Sequence, residues 1–498
     1  MILRRAHLLG HADSQPVDLL IEDGLISRIE YAGHIPSAEE HEEIDLDGRV
    51  LSPGLWDEHV HLGAWAEYRR SIDLSSATSP DDAARLMADG QSGISEKFVI
   101  GVAYRDGLWV EEKTRALLDQ YSGDRPWVLW SVDVHSCWLN SAAVAALGLE
   151  GVDDTGVLRE HDAFALAGRL SEIDPEVRDA WIDDAIAEAN QRGVVGVVDF
   201  DLADNFANWT RRRSANAQWP LRVEAAVYPT ELDAAISRGN KTGDEIAPGV
   251  TVGPLKAITD GSLNTRTAYC VEPYLGIDHT EHGAMNYEVD ELRALMEKAS
   301  SHGFTPAFHA IGDDANRIVI DLFAELDVPG RIEHAQLLRD VDFARMAKHH
   351  IIASVQPQHA VDDREVADKY WADRTHRVIA LRSMKDAGVQ LAFGSDAPVS
   401  PLNPMQQIAA AVTRTDDQRN PWESHQRLSV KEAIDASTRS TIEVGQPADL
   451  IAFGADPLWL ERAMGHDPSA LYQALCAVPI ELTLVDGRTQ HNAISQTK

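Results

Sequence analysis

The stretch TPAFHAIGDDANRIVIDLFAELDVPGRIEH, residues 305–334, holds one full repeat of the fold. An apolar run, Thr305–His309, ends on a histidine. A helical pattern follows over Ala315–Leu326, with apolar residues returning at helix spacing. A second apolar run, Ile332–His334, again ends on a histidine. Two strands joined by a helical crossover run parallel. Working outward, similar runs recur at Val99–Ala103, Val128–Val134, Val194–Phe200, Arg222–Tyr228, Val252–Ile258, Ile351–Val355 and Leu391–Gly394. Helical patterns separate several of them. In Arg178–Arg192 the residues Trp181, Ile182, Ala185, Ile186 and Ala189 share one face, and Glu288–His302 repeats the pattern. Strand–helix units repeated over ~350 residues predict a (β/α)8 TIM-like barrel, with an open doubly wound sheet as the alternative. No GxGxxG follows the first strand, which counts against a dinucleotide fold.

The two chain ends read differently. Ile2–Leu9, Val17–Glu22, Leu25–Tyr31 and Glu43–Asp47 are short strands, and Asp23-Gly24 in EDGLISRIE is a hairpin signal. ADLIAFG and IELTLVDGRTQH near the other end are strand-like, with a turn at Asp486-Gly487. Paired, residues 1–52 and 440–498 predict a small β-sandwich domain beside a barrel over 53–439.

Composition narrows the function. The chain has 498 residues, 44% hydrophobic and 25% charged, with a net charge of −35. That acidity disfavours nucleic acid and anionic membranes as partners. Cys137, Cys270 and Cys476 lie far apart and form neither a disulfide framework nor a CxxC metal pattern. The first twenty residues lack the apolar stretch of a signal peptide, and no run of eighteen apolar residues occurs. The expectation is a soluble cytoplasmic protein acting on a small molecule, with a homodimer as the candidate assembly.

The chemistry lies at the ends of the apolar runs. Residues 51–62, LSPGLWDEHVHL, place His59 and His61 two apart, so at a strand end both imidazoles project the same way and reach one metal ion. His309, His334 and Asp396 each close a separate apolar run and are followed by Gly, Ala or Pro turn chemistry. In a barrel such ends converge on one site. Lys256, in VTVGPLKAITDGS, has the same placement. A buried amine with a lowered pKa can take up CO2 and become a carbamate bridging two metals; the alternative is a lysine ion-paired to Asp260. His302, His349 and His376 read as surface or helix-cap residues.

The order HxH, Lys, His, His, Asp resembles that of the amidohydrolase superfamily of metal-dependent hydrolases. The strings PGLWDEHVHL, DVHSCWLNSAAV, LKAITDGSLNTRTA, FHAIGDDAN, RIEHAQ, SVQPQH, FGSDAPVSPLNP and VGQPADLIAF look more like one branch, the amidohydrolase family 3 proteins, which include N-substituted formamide deformylases. ASTRSTIEV, before the last string, is shorter than is usual there, at the joint with the β domain. The resemblance implies that His59, His61 and Asp396 hold one divalent metal, that His309 and His334 hold a second, and that carboxylated Lys256 bridges them. Zinc is the default metal, with manganese, iron or cobalt as substitutes.

Asp396 would relay a proton to the leaving nitrogen during cleavage of a C–N bond of amide, formamide or cyclic amide type. The resemblance sets His135 near the substrate carbonyl; the other reading is a loop histidine capping Asn140–Ala146. Trp138 is a candidate apolar wall, Arg266 either binds a substrate anion or pairs with Asp260, and Gln356 and His359 are candidates for the pocket mouth. Trp109, Trp130 and Trp138 make either an aromatic pocket or core. The competing functions are a non-catalytic relative that keeps the barrel but loses ligands, and a deaminase or esterase on the same scaffold.

Overall fold

The computed structural model describes residues 1–494 apart from 12–13, 38–40, 95, 171–174, 216–219 and 278–279. Eight parallel strands form the barrel: β1 Leu55–Val60, β2 Val194–Asp199, β3 Arg222–Val227, β4 Val250–Ile258, β5 Pro306–Ala310, β6 Gly330–His334, β7 Ile351–Val355 and β8 Leu391–Phe393. They pair in chain order. Register sets the future site, with Ile258 beside His309 and Ala310 beside His334. A parallel bridge between Val60 and Ala397 brings β8 back to β1, so the sheet nearly closes. Gly394 permits this approach: a Cβ there would lie 2.5 Å from the His59 backbone nitrogen.

Barrel strands are covered on both faces and therefore read as continuous apolar runs. Their outward side chains, such as Phe308, Ile332 and Val355, share one core with the apolar faces of crossover helices such as Asp313–Leu326.

Two of the expected barrel runs belong elsewhere. Val99–Tyr104 and Trp127–Ser131 lie between β1 and β2 in sequence, and they pair with one another in a separate five-stranded sheet. That sheet has its own cores, one built on Leu74, Tyr104, Trp127 and Trp138. The first barrel strand is instead the one carrying the HxH pair.

The chain ends form a third sheet, in the order 488–492, 480–485, 450–453, 50–53, 2–8, 17–22 and 25–31, with 43–45 also paired to 2–8. Strand Ile2–Leu8 serves both halves, and its register shifts between Leu3 and Ala6 around Arg5 at φ 54°. Side chains of the two halves, Leu19 and Ile26 against Leu450 and Leu482, meet in one core, which makes the sheet a small sandwich. Among the described residues no helix is long and apolar enough to cross a membrane.

Candidate metal centre

The carboxyl ends of the barrel strands converge on a buried cluster of imidazoles. His59 comes from β1 and His61 from the residue just past it; their ring centroids are 5.6 Å apart. Those of His59 and His334 are 4.9 Å apart, and those of His309 and His334 4.4 Å. Asp396, past β8, places Oδ1 3.5 Å from His59 Nε2 and 3.4 Å from His61 Nε2. Lys256 Nζ lies 3.4 Å from His59 Nε2 and 4.7 Å from the centre of the Phe200 ring. His334 and Asp396 both have left-handed backbones, φ 73° and 57°. Strain of this kind in non-glycine residues clusters at functional sites.

Three of these imidazoles are held in place by neighbouring groups. His59 Nδ1 meets Glu333 Oε2 at 2.6 Å, which turns Nε2 toward the cluster. Glu333 is in turn bound to Arg331, which also reaches Glu58 and Ser354. Arg439 joins Glu58 to Glu224. His334 Nδ1 meets Gln356 Oε1 at 2.9 Å. His61 precedes a helix, Leu62–Tyr68, whose first free N–H groups are accepted by Asp199 and Asp201 at 2.8–3.1 Å. This anchors His61 through the end of β2.

Burial sets the protonation. It pulls the His59 imidazole down to about 4, with the Lys256 charge adding to the effect. Burial likewise drives His309 and His334 well below their ordinary value. The Lys256 amine falls to about 8 through burial, against the pull of Glu333 and Asp396. Burial opposes ionisation of Asp396, yet the imidazoles around it hold its carboxyl well below the usual range. Neutral imidazoles, an ionised carboxylate and a readily deprotonated amine are the forms that bind divalent metals. Two three-donor groups have ligand atoms within 4.8 Å of one another: His59, His61 and Asp396, and His334, His359 and Asp396. The donor set therefore fits a metal. His309 falls outside both groups; its Nε2 lies 3.4 Å from the Gly261 carbonyl.

The other sequence-predicted residues separate clearly. His135 stands on the insertion loop with its ring 5.6 Å from His309, and its Nδ1 meets Glu160 Oε2 at 2.8 Å. Burial lowers His135, but Glu160 outweighs it and raises the imidazole to about 9. The helix Ser141–Ala146 is capped by Asn140, which accepts the Ala143 N–H at 2.8 Å. Lys256 is not paired with Asp260, whose carboxylate accepts the N–H groups of Tyr269, Ile311 and Gly312. Arg266 does not pair with Asp260 either; it bonds to the Asn264 carbonyl and lies over the Tyr370 ring, outside the cavity lining. Trp138 is fully buried in the insertion core, because both faces of its strand are covered, so it forms no cavity wall. Gln356 is buried behind His334 and holds that ring instead of lining a mouth. His359 does face the cavity. Of the three tryptophans, Trp130 lines the cleft while Trp109 stacks on Tyr104.

Two spaces meet at the histidines. A cleft of about 1060 Å³ opens between the barrel mouth, the insertion sheet and the helix Pro175–Gln191, with Phe98, Trp130 and Trp181 among its walls. A recess of about 40 Å³ lies on the side of His135, His359 and Asn264. Sequence reasoning missed Glu333, Arg331, Glu160 and the large cleft. The first two had a signal: opposite charges two apart within an apolar strand project together into the barrel.

A parallel barrel whose carboxyl-end mouth gathers imidazoles, a carboxylate and a buried amine is the scaffold of a metal-dependent hydrolase. The chain belongs to the amidohydrolase family, whose profile matches residues 42–491. It is 27% identical to protein LONG AFTER FAR-RED 3 of Arabidopsis thaliana, over 80% of this chain and 74% of that one. It is 24% identical to the N-substituted formamide deformylase of Arthrobacter pascens, over 85% and 86% of the two chains. The crystal structure of an uncharacterized metal-dependent hydrolase from Pyrococcus horikoshii superposes with a TM-score of 0.76 at 26% identity, covering 92% of this chain and 98% of that one.

Proposed function

We propose that the protein hydrolyses a carbon–nitrogen bond other than a peptide bond, of amide, formamide or cyclic amide type, with the help of two divalent metal ions, zinc foremost. The observation that carries this is the convergence of His59, His61, His309, His334, Asp396 and the Lys256 amine at the inner end of one cleft. The name of the Arthrobacter relative and the metal dependence of the Pyrococcus one support it. His59, His61 and Asp396 would hold one ion; His309, His334 and a Lys256 carbamate would serve the second. Bound there, such ions polarise a scissile carbonyl and supply hydroxide at neutral pH.

The remaining chemistry belongs to the chain. Lys256 Nζ, brought to about 8 by burial, loses its proton readily. The free amine then adds CO2, forming an N–C bond and releasing one proton. Asp396 Oδ carries a proton from the attacking water to the leaving nitrogen; as a strongly ionised carboxylate it works as a relay and not as a stored base. His135, kept charged by Glu160, donates a hydrogen bond to the substrate carbonyl oxygen as negative charge grows there. The apolar cleft receives the larger substituent of the substrate.

The test has two parts. Elemental analysis of protein purified without added metal should find near two equivalents of a transition metal. A panel of N-substituted amides, formamides, cyclic amides, esters and aminoheterocycles should then show turnover confined to the C–N amide group, abolished in His309→Ala without unfolding. Metal-free protein that divalent ions do not activate would overturn the reading; turnover of esters or aminoheterocycles alone would move it to another chemistry.

A further inference from the structure

The two spaces that meet at the imidazole cluster are very unequal. His135, His309, His334 and Asp396 line both of them. A bond broken at these groups therefore has one arm in each space.

The recess has a volume of about 40 Å³. At ~10–15 Å³ for one water-sized group, it holds about three non-hydrogen atoms. Its walls are fixed. Leu263 and Ile311 belong to the main core, at 1% and 5% exposure. The Ile311 N–H is held by Asp260 at 3.0 Å, Asn264 donates to Asp106 at 3.1 Å, and Gln336 donates to Asp363 at 3.0 Å. Close-packed walls of this kind do not widen for added methylenes without strain.

The cleft has a volume of about 1060 Å³, at the upper end for a pocket that encloses a drug-sized ligand. Tyr68, Phe98, Trp130 and Trp181 line it. Tyr68, Phe98 and Trp181 are only half-buried, so their rings keep apolar surface that a ligand can cover. The cations beside them are already paired. Arg178 meets Glu67 at 2.6 Å and Asp201 at 3.6 Å. Arg70 meets Asp184 at 2.9 Å while lying over the Trp181 ring. A neutral aromatic arm stacks on these rings and leaves the ion pairs intact.

We infer that the substrate is an amide with one bulky, neutral aromatic arm seated in the cleft and a second arm of no more than about three non-hydrogen atoms seated in the recess. This rests on the amide hydrolase reading above and deepens it by naming the amides that fit. Hydrolysis adds hydroxyl to the carbonyl carbon and hydrogen to the nitrogen, so one product is small and the other bulky and apolar.

The test is turnover by the metal-loaded protein of amides that differ in arm size. N-(2-naphthylmethyl)acetamide and the reversed amide, N-methyl-2-naphthylacetamide, pair a large arm with a small one. N-methylacetamide pairs two small arms, and N-(2-naphthylmethyl)isovaleramide has a second arm too long for the recess. The better large–small amide should exceed both of the others at least 100-fold in kcat/KM. Leu263→Ala, which opens the recess, should raise the isovaleramide relative to the acetamide at least tenfold. Ala203→Trp, which fills the cleft, should lower the naphthyl amides relative to N-methylacetamide at least tenfold. Circular dichroism checks folding. If wild type turns over N-methylacetamide or the isovaleramide as well as the large–small amides, or if the folded variants keep wild-type ratios, the inference fails while the hydrolase reading stands. Turnover of no amide overturns both. Should a variant not fold, the wild-type series alone decides.

Discussion

Glu333→Gln separates the metal centre from its support. The carboxylate is fully buried, with Oε2 2.6 Å from His59 Nδ1 and its other oxygen on Arg331. The amide keeps the size and can still accept from His59, so packing is conserved and only charge is removed. Arg331 then shares Glu58 with Arg439. At an effective dielectric of ~20, a pair ~4 Å apart is worth about 4 kcal/mol, which is an upper bound here because Arg331 keeps Glu58. Separately, loss of a charged partner behind a metal-bound histidine weakens the ion about 10–100-fold, or ~1.4–2.7 kcal/mol. Two measurements divide these. Thermal unfolding of the stripped protein reads the Arg331 penalty, and chelator competition reads the loss through His59. The expected result is a lowered melting temperature already without metal, together with weaker binding at one position only. A variant with wild-type melting and wild-type metal affinity would refute the argument that Glu333 supports both.

Lys256→Ala should lose hydrolysis, and small carboxylic acids should restore part of it if a carbamate supplies oxygens there; no rescue across a concentration series counts against carboxylation. Gly394→Ala puts a Cβ 2.5 Å from the His59 backbone nitrogen, so it should destabilise by ~1–3 kcal/mol and weaken metal binding through His59, read by melting and elemental analysis. Arg382→Ala tests an ion pair far from the site. The hydrogen bond from Arg382 lowers Glu432 from 4.5 to about 2, so the pair's stabilisation is complete above pH 4.5 and fades as pH falls toward 2. The half-exposed pair contributes no more than ~1 kcal/mol, and the melting difference from wild type should shrink steadily below pH 4.5.

The barrel was legible because covered strands must be apolar along their whole length and because the chemistry sits at their ends. His309 and His334 close adjacent runs and fall side by side once β5 and β6 pair in register. The terminal hairpins were legible from Asp-Gly turns. The insertion was not, for a physical reason. Val99–Tyr104 and Trp127–Ser131 are buried on both faces and pair parallel to one another, as barrel strands do. Their local pattern is the same; only the distant partner differs, and periodicity carries no record of partners. Trp138 was misread for a similar cause, since an aromatic in a doubly covered strand and an aromatic in a pocket wall share one sequence signature.

The insertion also explains a string whose purpose the sequence left open. DGSLNTRTA, residues 260–268, holds Arg266, a candidate for a substrate anion, yet its Ser262, Asn264 and Thr267 side chains face the insertion. Asn264 donates to Asp106 at 3.1 Å, Ser262 to Asp133 at 2.6 Å and Thr267 to Glu160 at 2.6 Å. Three carboxylates of the insertion thus grip one barrel loop, and Glu160 is also the residue that holds His135. The loop after β4 therefore fixes the insertion sheet against the barrel and, through Thr267 and Glu160, fixes His135, the imidazole that the insertion supplies. Its sequence records the docking of the insertion, while Ser262, Leu263 and Asn264 also line the recess beside His135.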